Sequence, residues 1–509
     1  MEGNLLFVGG DLSGIQKFIY NITSKRAMVS LKGRSYYLKD FTEKVCDEIL
    51  DILEVKNSKF SREEMKIYCS GGKFYLQVPD TESIRNAIAD IRKRREEELW
   101  KKHQGQLSIN IDYVPFVYDG DQVKVDGETD NIGLLWKKIT EKFNALKNQK
   151  FKSLLLGQYQ DFFEPQKVGG EVKVCQITGI EGAEKYELPF KDENGDKESL
   201  YVLDSVKEQM NIGVDLMKKQ HFKMLEEYAE NTYLGVLRMD VDGLGTRFIK
   251  GFKSIEMYKD FSGKLDKFFD VENGNLHTIQ EQYKEYLNIV YAGGDDIFVV
   301  GRWDKVIDFA DDVRTKFASY CQDVLNDSTL SISGGVAIVN KKFPIAKAAE
   351  LSGEAEDTSK KYNNGKKNAF NMFGESVSWD GEKGFEHVKS YKTQFVDHIQ
   401  NDGLSRAILH KIMNYAAMVK ENLVIEEGKK NGDYKLNPDW SYLWHTAYYL
   451  TRFMGKEKDN KPVYEFCKGL RDNQLHSPED YRLMSLAARW AELELREIKD
   501  KESINDKNE

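Results

Sequence analysis

One order of secondary-structure elements can be read twice in this chain, and that repetition constrains the fold more than any other feature. Near the N-terminus, hydrophobic periodicity predicts a strand at 5–11, a helix at 33–53 and a strand at 66–69, then the turn Ser70-Gly71-Gly72. A strand at 73–79, a helix at 81–104 and a strand at 107–115 follow. The order returns as a strand at 233–240, helical sequence to about 285, a strand at 287–292, Gly293-Gly294, a strand at 297–300, a helix at 303–324 and a strand at 330–337. Each copy reads β-α-β-β-α-β, the ferredoxin-like arrangement with antiparallel strands and both helices on one face, so the expected class is α+β. Asp11 ends the first strand of one copy as Asp240 does in the other, and the hairpin Ser70-Gly71-Gly72-Lys73 corresponds to Gly293-Gly294-Asp295. The first hairpin carries Lys where the second carries a carboxylate, so only the second copy has a full acidic set.

A chain of 509 residues has room for three or four domains at roughly 100 to 200 residues each. The expected division is a first copy at 1–115, a linker domain at 116–222, the second copy at 223–375 and a helical domain at 376–509. In the linker, Gly169-Gly170, Gly179, Gly182 and the acidic stretch 191–198 read as loops. In the last domain apolar residues recur at three and four spacing over 407–424, 440–453 and 481–495, and the charged tail 500–509 is expected to fray.

Several classes drop out. No apolar run approaches the roughly 18 residues of a membrane helix. The start MEGNLLFVGGDLSG has neither the basic nor the apolar part of a secretion signal, so a cytoplasmic protein with no membrane partner is expected. Cys46, Cys69, Cys175, Cys321 and Cys467 are spread singly, which argues against structural disulfides and a self-contained zinc ribbon. No Walker A, G-x-S-x-G or histidine metal motif occurs, and His398 reads as a solvated helix residue. With a net charge of -9, contact with nucleic acid has to come from a local patch. Lys17, Lys25, Arg26, Lys32, Arg34 and Lys39, interleaved with Phe18, Tyr20, Tyr36 and Tyr37, form one such patch, or else a solvated helix face.

The chemistry-bearing stretch is Ile289 to Val300, which puts Asp295 and Asp296 in a tight turn between two apolar strands. Adjacent carboxylates beside a dry core repel each other and lose hydration, so a cation or water has to offset them. Gly293 and Gly294 permit positive φ and close approach of a nucleotide. Asp240, ending the first strand of the same copy, is expected to face Asp295 and share with it hard cations that prefer oxygen, magnesium or manganese. Alone, Gly293 to Asp296 also reads as an ordinary hairpin turn. Asp242 suits a ligand role or a helix N-terminal cap equally. Lys360, Lys361, Lys366 and Lys367 follow the second copy, and of these Lys366 and Lys367 are kept as candidates to clamp phosphates against the commoner reading of a solvated basic face.

These residues resemble the large polymerase/cyclase-like subunit of type III CRISPR effector complexes, of the Csm kind more than the Cmr kind. The marks are Gly10 to Tyr20 (GDLSGIQKFIY), Leu31 to Leu38 (LKGRSYYL), the Ser70 to Phe74 hairpin, Asp240-Val241-Asp242 and Gly293-Gly294-Asp295-Asp296. The resemblance implies two palm domains meeting face to face with ATP between them. It implies that Asp240, Asp295 and Asp296 are catalytic and hold the metals, while Gly293, Gly294, Ser13, Gly14, Gly71 and Gly72 hold nucleotide. The implied reaction turns ATP into cyclic oligoadenylates, or joins AMP to another small molecule, once guide RNA captures target RNA in antiviral defence. The C-terminal helices would contact other subunits of the complex. Two departures matter. Many members begin with an HD nuclease domain, and this chain starts at the first palm, so no such nuclease activity is expected. Many also carry a four-cysteine zinc site between the palms, of which Cys175 alone remains, so bound zinc is not expected.

Two other readings compete. A GGDEF-type diguanylate cyclase also pairs a strand-end Asp with a Gly-Gly acidic hairpin, but here Asp296-Ile297 replaces the expected Glu-Phe and the duplicated palm has no role. A catalytically inactive palm scaffold of a ribonucleoprotein would keep the fold without turnover.

Overall fold

The structure is a computed structural model describing residues 4–23, 26–157, 173–191, 197–228, 233–430 and 439–508. Gly169-Gly170, Lys25 and part of the acidic 191–198 stretch lie outside the described residues. Its first sheet contains β1 (Leu5–Ser13), β2 (Lys66–Ser70), β3 (Lys73–Pro79), β4 (Ser108–Asp119), β5 (Gln122–Val125) and β6 (Glu128–Asp130), in the order β2-β3-β1-β4-β5-β6. A separate hairpin pairs β7 (Glu184–Lys191) with β8 (Lys197–Val202). The third set is β9 (Tyr233–Val241), β10 (Leu287–Gly293), β11 (Asp296–Arg302), β12 (Ile332–Asn340), β13 (Ala369–Met372) and β14 (Glu375–Ser378), in the order β10-β11-β9-β12-β13-β14. The duplication is therefore structural: β2-β3-β1-β4 and β10-β11-β9-β12 have one topology.

The two hairpins share even their irregularity. Each ladder slips just before a tyrosine, between Lys66 and Tyr68 in β2 and between Ile289 and Tyr291 in β10. A bulge of this kind bends the strand and raises its twist. Beyond it, Ser70 pairs Lys73 and Gly293 pairs Asp296, so Lys73 is the counterpart of Asp296 and Gly72 that of Asp295.

β1 reads as one apolar run because both of its faces are covered. Leu6 and Val8 enter a core with residues of the helix Ala27–Leu50. On the other face Phe7 meets Trp136 of the helix Gly133–Lys147, with ring centroids 4.8 Å apart. That helix and the strands β5 and β6 extend the first palm beyond 115, where the sequence suggested the linker would begin. β5 shows why: Gln122 to Val125 alternate exposed and buried, the period of a half-covered strand. Thr81 and Ser254 start the helices Glu82–His103 and Ile255–Phe269 by accepting the N–H of Ile84 and Met257.

The chain divides into two compact units, Met1–Ile332 with Ala337–Gly353, and Ser333–Val336 with Glu354–Glu509. The second is largely helical, with Phe385–Asn401, Ala407–Lys430, Ser441–Met454, Lys461–Gly469 and Pro478–Asn508. Arg406 ties to Glu492 at 2.7 Å and Lys392 to Glu494 at 3.0 Å. The last helix runs through Asn508, where the charged tail was expected to fray. All five cysteines are free thiols. No helix among the described residues is long and apolar enough to cross a membrane.

Candidate active site

The antiparallel register sets the carboxylates. Asp240 of β9 pairs directly with Asp296 of β11, whereas the sequence pointed to Asp295 as its partner. Asp295 sits one residue earlier, in the turn, where its carbonyl accepts the Val241 N–H at 3.0 Å. Directly opposed strand residues have Cβ atoms about 4.5 to 5.5 Å apart, and like charges there are destabilising. Arg238, two residues before Asp240 on β9, approaches Asp296 at 3.7 Å and is the nearby protein cation. Two opposed carboxylates with hard oxygen donors suit a divalent ion that the guanidinium alone does not replace. The three carboxylates occupy one end of β9 and β11 without closing to within 4.8 Å of one another as a set.

In the first palm the same register pairs Asp11 with Lys73, and the Lys147 ammonium lies 2.8 Å from the Asp11 carboxylate. Lysine thus occupies the position where the second palm holds a carboxylate, and an acidic pair is missing there.

The hairpins of the palms meet backbone to backbone. A Cβ on Gly293 would stand 3.0 Å from the Gly71 Cα, and one on Gly71 would stand 3.2 Å from the Gly293 carbonyl oxygen. Gly71, Gly72 and Gly294 also adopt positive φ. Around this junction lies a cleft of about 410 Å³, lined from the first palm by Lys32, Tyr36, Ser70, Gly71 and Gly72, and from the second by Asp266, Tyr291, Gly293 and Gly294. The volume is that of a small-molecule pocket, typically about 300 to 1,000 Å³.

Three residues at this site were not among the catalytic, metal or nucleotide candidates of the sequence, although Lys32 stood in the basic patch. Burial raises the Tyr291 phenol, and Asp296, Asp295 and Asp240 raise it further, so it stays protonated as a donor. Asp266, on the helix Ile255–Phe269, is pushed up to about 7 by burial, then by Asp295 and Asp270, against the opposing Ser70 hydroxyl. Lys32 donates to the Ile289 carbonyl at 2.8 Å, and burial draws it down to about 8. Tyr291 flanks the Gly-Gly motif and was legible as a strand residue; Asp266 lies within an amphipathic helix and has no motif of its own.

The remaining candidates fall elsewhere. Asp242 is buried, and its carboxylate accepts the Ser331 hydroxyl at 2.7 Å, bracing the strand end. The Ser13 hydroxyl accepts from Asn110 at 3.0 Å, and Gly14 caps the short helix Ile15–Tyr20; neither lines the cleft, although Ile15 does. Lys366 and Lys367 belong to the second unit. The basic patch is split: Arg34 donates to the carbonyls of Phe18 and Asn21, Arg26 pairs with Glu198 and Lys32 is buried, whereas Lys17 and Lys39 are exposed. Cys175 is buried in the core. His398, read from sequence as solvated, bonds Asp402 at 2.7 Å and packs on Phe466.

Comparison with known proteins matches two segments of the chain to domain families. The family model for Csm1 subunit domain B matches residues 4–168, and that for the Cas10/Cmr2 second palm domain matches residues 233–371. The chain thus carries a Csm1-type domain B and a Cas10/Cmr2-type second palm, and in this it is similar to the Csm-like large subunits of type III CRISPR systems. The CRISPR system single-strand-specific deoxyribonuclease Cas10/Csm1 (subtype III-A) of Enterococcus italicus is 27% identical over 436 residues, covering 74% of this chain and 54% of its own length. The protein of that name from Mycobacterium tuberculosis is 25% identical over 564 residues, covering 93% of this chain and 64% of its own. The chain therefore spans between half and two thirds of the length of these curated relatives. Among solved structures, the Csm1-Csm4 cassette in complex with cA4 matches with a TM-score of 0.62 at 19% identity, covering 97% of this chain and 70% of that one. The cassette in complex with one ATP matches with a TM-score of 0.61, also at 19% identity, over 96% and 70%.

Proposed function

We propose that this chain is a nucleotidyltransferase, dependent on magnesium or manganese, that converts ATP into a signalling nucleotide, a cyclic oligoadenylate or an AMP conjugate. It acts within a type III CRISPR complex whose guide RNA has captured target RNA, in antiviral defence, and its C-terminal helices contact other subunits. The opposition of Asp240 and Asp296 beside a Gly-Gly hairpin that abuts its counterpart in the other palm carries this reading. Solved Csm1-Csm4 structures that share the fold hold ATP or cA4, which supports it.

In the proposed reaction the 3'-oxygen of one nucleotide forms a bond to the α-phosphorus of another. The bond from that phosphorus to pyrophosphate breaks, and the hydroxyl proton passes to water. Asp240, Asp295 and Asp296 would hold the divalent ions. Once bound, such ions neutralise the triphosphate and stabilise the departing pyrophosphate. The glycine hairpins let phosphates approach the peptide N–H groups without a Cβ in the way. Tyr291, held protonated, offers a hydrogen bond beside the acids. The first palm binds nucleotide without activating it, because Lys73 stands where Asp296 stands in the second.

The test is incubation of the complex, assembled with guide RNA, with labelled ATP or GTP and magnesium, with and without target RNA and S-adenosylmethionine, followed by product identification. An adenylate product that needs target RNA and disappears in Asp295→Ala/Asp296→Ala is expected. A GTP-derived product, or no product from either form, would overturn the proposal.

A further inference from the structure

The end of the first sheet that corresponds to the acidic end of the second opens into a cavity of its own. Ser108 of β4 pairs with Ser13 of β1, and Asn110 with Asp11, the counterpart of Asp240. Beside them lies a cavity of about 320 Å³ that shares no lining residue with the cleft between the hairpins. Arg92 of the helix Glu82–His103 lines it, as do Lys150 and Lys152, which follow the helix Gly133–Lys147. We propose that this cavity binds the phosphate group of a small phosphorylated molecule, without a metal ion.

The floor of the cavity holds a group that lacks a partner. Ser108 is 3% exposed, and its hydroxyl has no hydrogen-bond partner among the described residues, a costly state unless something in the cavity bonds to it. Asn110 beside it is held in place, its amide donating to the Asp11 carbonyl at 3.2 Å and the Ser13 hydroxyl at 3.0 Å. The rim is fixed as well. Phe151 has a φ of 57°, a left-handed backbone that a bulky residue adopts only where its surroundings impose it. Those surroundings are Trp100, with ring centroids 5.2 Å apart, and Glu96, whose carboxylate accepts the Phe151 N–H at 2.8 Å. Turning Phe151 inward leaves Lys150 and Lys152 on either side of it at the cavity. Arg92 is steadied by donating to the Ile111 carbonyl at 3.4 Å, and Lys152 by donating to the Gln149 side chain at 3.0 Å. Among the described residues three cations and a free hydroxyl thus face one carboxylate, Glu96, which already has a donor. That set suits an anion with several acceptor oxygens, such as a phosphate. No metal is called for, because the Lys147 ammonium already lies on Asp11. The volume is at the small end of the range for ligand pockets, about 300 to 1,000 Å³, which favours a compact ligand over a nucleic-acid strand.

The test is calorimetric titration of inorganic pyrophosphate into the full chain in the presence of EDTA, so that the carboxylates of the second palm hold no metal. Wild type is compared with Arg92→Ala/Lys150→Ala/Lys152→Ala, with Ser108→Ala, and with a charge-matched control at exposed positions outside the cavity, Lys93→Ala/Lys101→Ala/Lys124→Ala. Thermal melting shows that each folds. Wild type and the control should bind alike, and the cavity triple variant should bind about tenfold more weakly or worse. Ser108→Ala should bind more weakly while melting no lower than wild type, since the hydroxyl it removes has no partner in the free protein. No binding by wild type, an equal loss in the control, or a Ser108→Ala that binds as wild type does would overturn the site. A single-stranded RNA of about ten nucleotides that binds at these residues where pyrophosphate neither binds nor competes would overturn the small-ligand assignment.

Discussion

Asp296 stands directly opposite Asp240 in the antiparallel pairing of β11 and β9, and the same position of the first palm puts Lys73 opposite Asp11. One fold thus carries a like-charged pair in one copy and an oppositely charged pair in the other. The first needs an added cation and the second supplies its own.

Replacing Asp240 or Asp296 with Asn should therefore separate stability from activity. Each substitution removes a repulsion from the metal-free protein, so the melting temperature without metal should hold or rise for Asp240→Asn, whereas Asp296→Asn also gives up the Arg238 ion pair and should gain less. Nucleotide turnover should fall by at least about a hundredfold, because the charge that stabilises the departing group is no longer held. Melting curves and product formation on the same preparations check both halves.

The junction of the hairpins leaves no room for a side chain. Gly293→Ala places a methyl group 2.6 Å from the Tyr291 hydroxyl and 3.0 Å from the Gly71 Cα, so the ring or the hairpin has to shift. Overpacking of this kind typically costs about 1 to 3 kcal/mol. Denaturant unfolding should show that loss, and ATP binding should weaken with it.

Arg34 should prove a residue of the fold rather than of an RNA surface. It is 1% exposed, donates to two backbone carbonyls and lies over the Phe18 ring. Arg34→Ala leaves those carbonyls without their donor, so a loss on the order of 3 kcal/mol is expected. Lys17→Ala, at an exposed position, should leave stability unchanged; unfolding curves of the two variants make the comparison.

His103 gives the stability of the first palm a dependence on pH. It is buried, hydrogen-bonded to the Tyr37 hydroxyl at 2.9 Å and edge-on to Phe18, and burial lowers it to about 4. An unfolded histidine titrates near 6.5, so between these values the unfolded chain takes up the proton and the folded one does not. The contribution is complete above about 6.5 and is lost as pH falls toward 4, on the order of 3 kcal/mol in all. His103→Gln should flatten that part of the stability profile relative to wild type, as urea unfolding at pH 7.5 and 4.5 would show.

The duplicated topology was legible in the sequence because both copies keep a central strand, a Gly-Gly hairpin and helices with a clear 3.6 period. Register was not: the unbroken ladder between β9 and β11, from Leu234 opposite Arg302 to Asp240 opposite Asp296, decides that Asp296 rather than Asp295 opposes Asp240, and no residue pattern announces it. Nor was the widening of the first sheet by β5 and β6, whose few residues give too short an alternation to stand out. The basic stretch misled for a different reason. Charge counts do not distinguish an ammonium in water from one that, like Lys32, donates to a buried carbonyl. Asp266 was invisible because only the fold brings it beside Ser70 of the opposite palm and into the cleft wall.

The central claim is that Asp240 and Asp296 share a divalent ion. Its most direct test is a Mn2+ titration of the metal-free chain followed by electron paramagnetic resonance, on wild type and on Asp240→Asn/Asp296→Asn. Wild type should take up Mn2+ at a site that the double variant lacks, with both proteins equally folded by circular dichroism. Equal uptake by the two would contradict a site shared between these residues.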